Sequence, residues 1–175
     1  MAWWSATHEQ PTWLPLQAAN SDTMIKNRPP RLDRVFAHAP VYFVTFCTRD
    51  RRPLSSLPLA HESFVAYAKR AYDDFNIAVG RYVIMPDHIH LFVCGSGEFE
   101  LAKWVGGLKR AVSVAVASDR RFPLWQPGFF DHVLRNDESY SEKWSYVREN
   151  PVRAGLVPTF QDWPYAGEII IIDRA

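Results

Sequence analysis

Residues 77–94 read IAVGRYVIMPDHIHLFVC, and this stretch decides the fold. Two runs rich in β-branched and aromatic residues, 77–85 and 88–94, flank the pair Pro86-Asp87. Such runs favour strands, and a proline-aspartate pair favours a tight connection, so the stretch predicts two adjacent strands. Upstream, the apolar residues Phe64, Val65, Ala68, Ala71, Tyr72 and Phe75 recur at spacings of three and four, predicting an amphipathic helix over about 61–75. Before it, VYFVTFC (41–47) predicts a buried strand and the polar, basic stretch 48–53 a loop. Downstream, Leu101, Trp104, Val105, Leu108, Val112, Ala115 and Val116 mark a second helix. Gly106-Gly107 inside it costs roughly 1 kcal/mol per glycine, with no reason visible in the sequence beyond close approach of a ligand backbone. GFFDHVL (128–134) predicts a fourth strand. Asn136 or Asp137 then caps a third helix, which should stop at or just after Asn150 because Pro151 restricts the residue before it. The order β-α-β-β-α-β predicts an α+β fold: a ferredoxin-like antiparallel sheet with helices on one face and an added C-terminal helix.

The chain has 175 residues, room for one domain, and 47% hydrophobic with 22% charged residues suits a globular core that needs no disulfides. Residues 1–29, with Pro11, Pro15 and Pro29 and no clear period, read as an extended N-terminal arm; 30–175 read as the folded domain. Cys47 and Cys94 fall in strand-like runs and read as reduced thiols of a cytoplasmic protein. No run of 18 apolar residues exists and the N-terminus lacks a signal-peptide pattern, so no membrane partner is expected. Net charge is +1, but basic residues cluster: Lys103, Lys109, Arg110, Arg120 and Arg121 against Asp119, and Lys26, Arg28, Arg31 and Arg34 against Asp33. Local basic stretches on a neutral chain suit a phosphate backbone held at one place, although solvated helix faces also look this way.

Two constellations carry chemistry. In His88-Ile89-His90 the alternation of a strand puts both imidazoles on one face, about 7 Å apart at the backbone, where they could converge on a divalent cation. Tyr146 and Asn150 are four apart on the third helix and lie off the apolar stripe of Tyr140, Trp144 and Val147. A phenol there is accessible, and the asparagine carbonyl could serve the same metal. Taken alone, each pattern is compatible with a purely structural role.

The segments YFVTFCTRDRRPL (42–54), YVIMPDHIHLFV (82–93), LWQPGFFDHVLRN (124–136) and YVRENPVRAGLV (146–157) resemble, in order, the REP-associated tyrosine transposases of the HUH type. The resemblance implies metal-dependent cleavage and rejoining of single-stranded hairpin DNA through a 5′-phosphotyrosine. It implies Tyr146 as nucleophile, His88, His90 and Asn150 as ligands of a divalent ion (Mg2+ or Mn2+), and hairpin DNA as partner. It also implies a monomer or homodimer and a cytoplasmic, nucleoid-associated protein. Where the family often has tyrosine this chain has Phe130, which leaves the nucleophile position intact.

Phosphate contacts are expected from Arg51, Arg52, Lys109, Arg110, Arg120 and Arg121, and base stacking from Trp125. A general base is not identified, although Asp131 and His132 fall in the right region. Three alternatives stay open: a domesticated module that binds hairpin DNA or RNA without cutting, a metallohydrolase that does not use Tyr146, and a structural ferredoxin-like protein without metal dependence.

Overall fold

The computed structural model describes residues 39–116, 123–134 and 137–172, with backbone only at 137–139. The expected arm at 1–29, the basic stretch 26–34, and Arg120, Arg121 and Asn136 lie outside the described residues.

Strands β1 (Val41–Cys47), β2 (Ile77–Ile84), β3 (His88–Gly95), β4 (Phe130–Leu134) and β5 (Ala166–Glu168) form one antiparallel sheet in the order β4-β1-β3-β2-β5. The first four strands have the expected ferredoxin-like arrangement. Helices α1 (Leu57–Phe75) and α2 (Leu101–Val116) pack on each other and cover one face. Tyr82 of β2 meets Phe64 of α1 at 4.6 Å between ring centroids, and Leu91, its cross-strand partner, shares that face. Ile89, Leu91 and Val93 are therefore buried on the side of α1 and α2.

The opposite face carries His88, His90 and Phe92, opposite Cys47, Thr45 and Phe43 of β1. Helix α3 (Asp137–Arg148) lies across it. Twelve residues make a marginal helix in water, and aromatic packing holds this one. Phe92 meets Tyr140 at 4.5 Å and Trp144 at 6.5 Å, and Val147 is buried. Tyr140 is seated at an irregularity in β2, where its hydroxyl lies 3.4 Å from Arg81 N. A Cβ on Gly80 would come within 2.9 Å of that hydroxyl, so the docking site of α3 requires glycine there.

Four local features differ from the sequence expectation. Helix α1 begins four residues earlier than His61, because Ser56 caps it by accepting a bond from Leu59 N at 3.3 Å and Pro58 occupies its first turn. Strand β4 begins at Phe130, two residues late, because Gly128 adopts φ 69°. Helix α3 ends at Arg148, and after Glu149 a separate turn, α4 (Asn150–Arg153), begins with Pro151 in its first turn, where no N–H is needed. Tyr146 and Asn150 thus flank a helix break and are not stacked on one continuous helix. Finally, β5 was not expected. The chain beyond Trp163 adds to the β2 edge and buries Ile169 and Ile170, with Ile170 N donating to Val79 O at 2.9 Å.

The pair Gly106-Gly107 is explained at one position. A Cβ on Gly107 would lie 2.2 Å from the Tyr67 hydroxyl, which donates to Trp104 O at 3.3 Å across the α1–α2 contact. The close approach is to a neighbouring helix, whereas Gly106 faces open space.

Candidate active site

His88 and His90 share one face of β3 because they are two residues apart on a strand, and their ring centroids lie 4.7 Å apart. Each ring is fixed through Nδ1. The Nδ1 of His88 donates to Asp87 Oδ1 at 2.6 Å, since an ionised carboxylate can only accept. The Nδ1 of His90 lies 2.7 Å from Thr45 Oγ1, its cross-strand partner. When Thr45 accepts, both imidazoles carry their proton on Nδ1 and a lone pair on Nε2. Burial lowers the pKa of both. For His88 the Asp87 carboxylate opposes that effect. For His90 burial dominates, reinforced by His88, Arg51 and Arg153, and the value falls to about 3. Both rings are therefore neutral at pH 7, the state in which imidazole ligates metal.

The donor chemistry fits a divalent cation. Two neutral imidazoles on one face, their ring centroids 4.7 Å apart, are a donor pair that divalent transition ions accept. The carbonyl oxygen of Asn150 would add a hard third donor. Among the described residues no group of three or more His, Cys, Asp or Glu side chains is gathered for a metal.

Tyr146 projects from α3 with 47% of its surface exposed, one position before the buried Val147. Arg153 stacks on its ring, the guanidinium carbon 4.1 Å from the centroid, and Arg153 Nη2 donates to Asn150 Oδ1. The charge of Arg153 adds to the lowering of the His90 pKa, and α3 packs on the histidine face of the sheet through Phe92. A second link runs from Lys143 of α3, 5.5 Å above the ring of Phe43, to His90, which stacks on Phe43 at 5.6 Å.

The expected DNA contacts separate by position. Arg51 is at the site, its Nη1 3.2 Å from Asp87 Oδ2, so one carboxylate orients His88 and anchors a cation beside it. It does so from a loop in which Asp50 and Arg51 both have positive φ, 55° and 56°, a conformation that costs free energy in residues other than glycine. Arg52 is exposed and pairs with Asp50, and Arg110 is exposed on α2. Lys109 is engaged within the protein: its Nζ donates to Gln126 O at 3.0 Å and to Gly128 O, and sits over Phe46 on the α2 side of the sheet. Trp125 is buried, its ring against Phe46 at 4.8 Å and its Nε1 donating to Lys109 O at 2.8 Å, so it presents no face on which a base could stack. His132, opposite Phe43, shares the histidine face, whereas Asp131, opposite Val44, points to the other.

The sequence reading missed Thr45, Asp87, Lys143 and Arg153 as members of this site. Asp87 adjoins the histidine pair and was legible only as a turn residue. Thr45 needs the strand register to find it, and Arg153 needs the helix break.

Neither cysteine is in a disulfide; Cys47 is partly exposed and Cys94 buried. They lie near opposite ends of the ladder, opposite His88 and Ala78. Among the described residues no helix is long and apolar enough to cross a membrane.

Comparison with known proteins agrees with this architecture. Residues 37–150 match the family described as "Transposase IS200 like". The chain is 25% identical over 135 residues to a REP-associated tyrosine transposase of Escherichia coli K12, covering 76% of this chain and 79% of that one. It is 26% identical over 145 residues to a Haemophilus influenzae protein described as a candidate REP-associated tyrosine transposase, covering 76% and 82%. A solved structure of a REP-associated tyrosine transposase bound to a REP hairpin superposes with a TM-score of 0.63 at 24% identity, over 73% of this chain and 75% of that one, which supports the fold. The strand bearing His88 and His90 and the helix bearing Tyr146 both lie inside the matched residues, and the chain belongs to the IS200-like transposase family.

Proposed function

We propose that this transposase-family chain cuts and rejoins single-stranded DNA next to a hairpin through a covalent link to Tyr146. The observation that carries the reading is the pair His88 and His90, both fixed through Nδ1, on the sheet face crossed by the helix that exposes Tyr146. The REP hairpin bound by the structural relative supports hairpin DNA as the substrate class.

His88, His90 and Asn150 would hold a divalent ion, Mg2+ or Mn2+, which when bound would offset charge developing on a phosphate oxygen. Tyr146 attacks phosphorus in line: the bond from its phenolic oxygen to phosphorus forms, the bond from phosphorus to the 3′ oxygen breaks, and the 3′ hydroxyl leaves. The phenol gives up its proton and the 3′ oxygen gains one, so the exchange balances without a nucleotide cofactor. The 5′-phosphotyrosine conserves the bond energy, and a 3′ hydroxyl attacking it restores a phosphodiester and frees the tyrosine. Arg51, anchored by Asp87 next to His88, supplies a cation for the DNA backbone.

The test is incubation with labelled hairpin oligonucleotides carrying single-stranded flanks, with Mn2+ or Mg2+. The expected result is a covalent protein–DNA adduct on a denaturing gel that is absent in Tyr146→Phe and lost with chelator. Cleavage that persists in Tyr146→Phe would point to a water-using metallohydrolase, and binding without cleavage to a domesticated binding module.

A further inference from the structure

Arg153 belongs to no element of the mechanism above, yet it touches two of that mechanism's residues. Its guanidinium carbon sits over Tyr146, 4.1 Å from the ring centroid, and Nη2 donates to Asn150 Oδ1. The backbone supports this arrangement. Arg153 N donates to Glu149 O and Ala154 N to Asn150 O, both at 2.9 Å, and Pro151, buried, fixes the first turn of α4. Asn150 and Arg153 are three apart in that turn and therefore neighbours. The break after Arg148 separates the nucleophile's helix from the turn that carries Asn150, and Arg153 is a side chain that spans it.

We propose that Arg153 is a positioning residue for strand cutting: one guanidinium, stacked on Tyr146 and bonded to Asn150, holds the nucleophile and the third ligand in fixed relation across the α3–α4 break. The inference rests on the reading of Tyr146 and Asn150 given above. The chemistry requires arginine. A planar cation can stack on a ring with its face while its edge donates to a carbonyl, and a lysine ammonium cannot do both. The Asn150 oxygen has two lone pairs, so accepting from Arg153 leaves one for a metal. Loss of a partner that orients a ligand costs about tenfold to a hundredfold in metal affinity or rate.

The experiment compares the full-length protein with R153K and R153Q in four measurements. These are single-turnover adduct formation at saturating hairpin oligonucleotide, the Mn2+ concentration for half-maximal rate, oligonucleotide affinity without metal, and thermal unfolding. The Arg153 side-chain resonances, displaced by the ring current of Tyr146 and relaxed in Tyr146→Leu, report the clamp without any turnover. The expected result is adduct formation slowed about tenfold to a hundredfold in both variants, a raised Mn2+ requirement, and unchanged oligonucleotide affinity and unfolding temperature. Wild-type rate in R153K would overturn the proposal, because charge alone would then suffice. A defect confined to oligonucleotide affinity would overturn it in favour of a phosphate contact, and absence of the ring-current displacement would remove its basis. If R153Q fails to fold, R153K and the resonances still decide. Wild-type protein that forms no adduct would overturn the cutting reading and this inference with it, whereas a normal adduct rate in both variants would overturn this inference alone.

Discussion

Thr45 lies directly across the β1–β3 ladder from His90, and its hydroxyl is 2.7 Å from the ring Nδ1. The hydroxyl selects which nitrogen of a half-buried imidazole faces the open side of the sheet. Thr45→Val keeps the shape and removes the partner. An unsatisfied buried donor costs about 1–3 kcal/mol, so chemical unfolding should show a loss of that size. Mn2+ affinity should fall about tenfold or more, and unchanged values of both would separate Thr45 from the site.

Asp87 holds His88 at 2.6 Å and Arg51 at 3.2 Å with its two carboxylate oxygens. Asp87→Ala should therefore produce two separable defects: weaker Mn2+ binding, because His88 loses its orientation, and weaker binding of single-stranded DNA, because Arg51 loses its anchor. Arg51→Gln should reproduce only the second. Metal titration and oligonucleotide binding measured on both variants check the partition.

The lowered pKa of His90 makes stability depend on pH with a definite sign. In the unfolded chain the imidazole takes up a proton near pH 6.5, whereas in the folded protein it resists until about 3. The unfolded state thus binds more protons between these values, so stability is complete above about 6.5 and declines as pH falls below it. Glu168 works in the opposite direction: burial raises its carboxyl, so its contribution is present at low pH and lost as pH rises. The difference between wild type and His90→Gln in chemical unfolding at pH 5 to 8 isolates the imidazole, and a wild-type curve no steeper on the acid side than the variant's would refute the assignment.

Adjacent glycines in α2 should respond oppositely to alanine. Gly106→Ala meets no atom within 4 Å and removes a weak helix former, so it should stabilise by about 0.5–1 kcal/mol. Gly107→Ala places Cβ 2.2 Å from the Tyr67 hydroxyl and must displace a ring held between the helices. Overpacking of this kind costs about 1–3 kcal/mol, more than the propensity gain. Thermal unfolding of the two single variants decides the matter.

Runs of β-branched and aromatic residues placed the first four strands, and three-to-four spacings with capping residues placed both helices under the sheet and α3, because all of these are local information. His88 and His90 were legible for the same reason: a strand needs no partner to put alternate side chains on one face. Tyr146 was legible as accessible because its neighbours Tyr140, Trp144 and Val147 define the buried stripe. Trp125 shows where such reasoning fails. A tryptophan between Leu124 and Gln126 offers no period to interpret, and only the fold reveals that its ring lies against Phe46 beneath α2.

The sequence by itself thus determined the first four strands, the three longer helices, the face that carries the two imidazoles and the exposure of Tyr146. The tertiary structure decided the environment that makes those groups chemically specific. Thr45 is 45 residues from His90, and their contact exists only because β1 and β3 pair in one register. Arg51 reaches Asp87 from 36 residues away through a loop with two residues at positive φ. Arg153 meets Tyr146 across a helix break, with Pro151 seated in the first turn of α4. Strand register, loop conformation and the angle between two helices are set by the packing of distant segments, and composition and spacing along one segment carry no information about them.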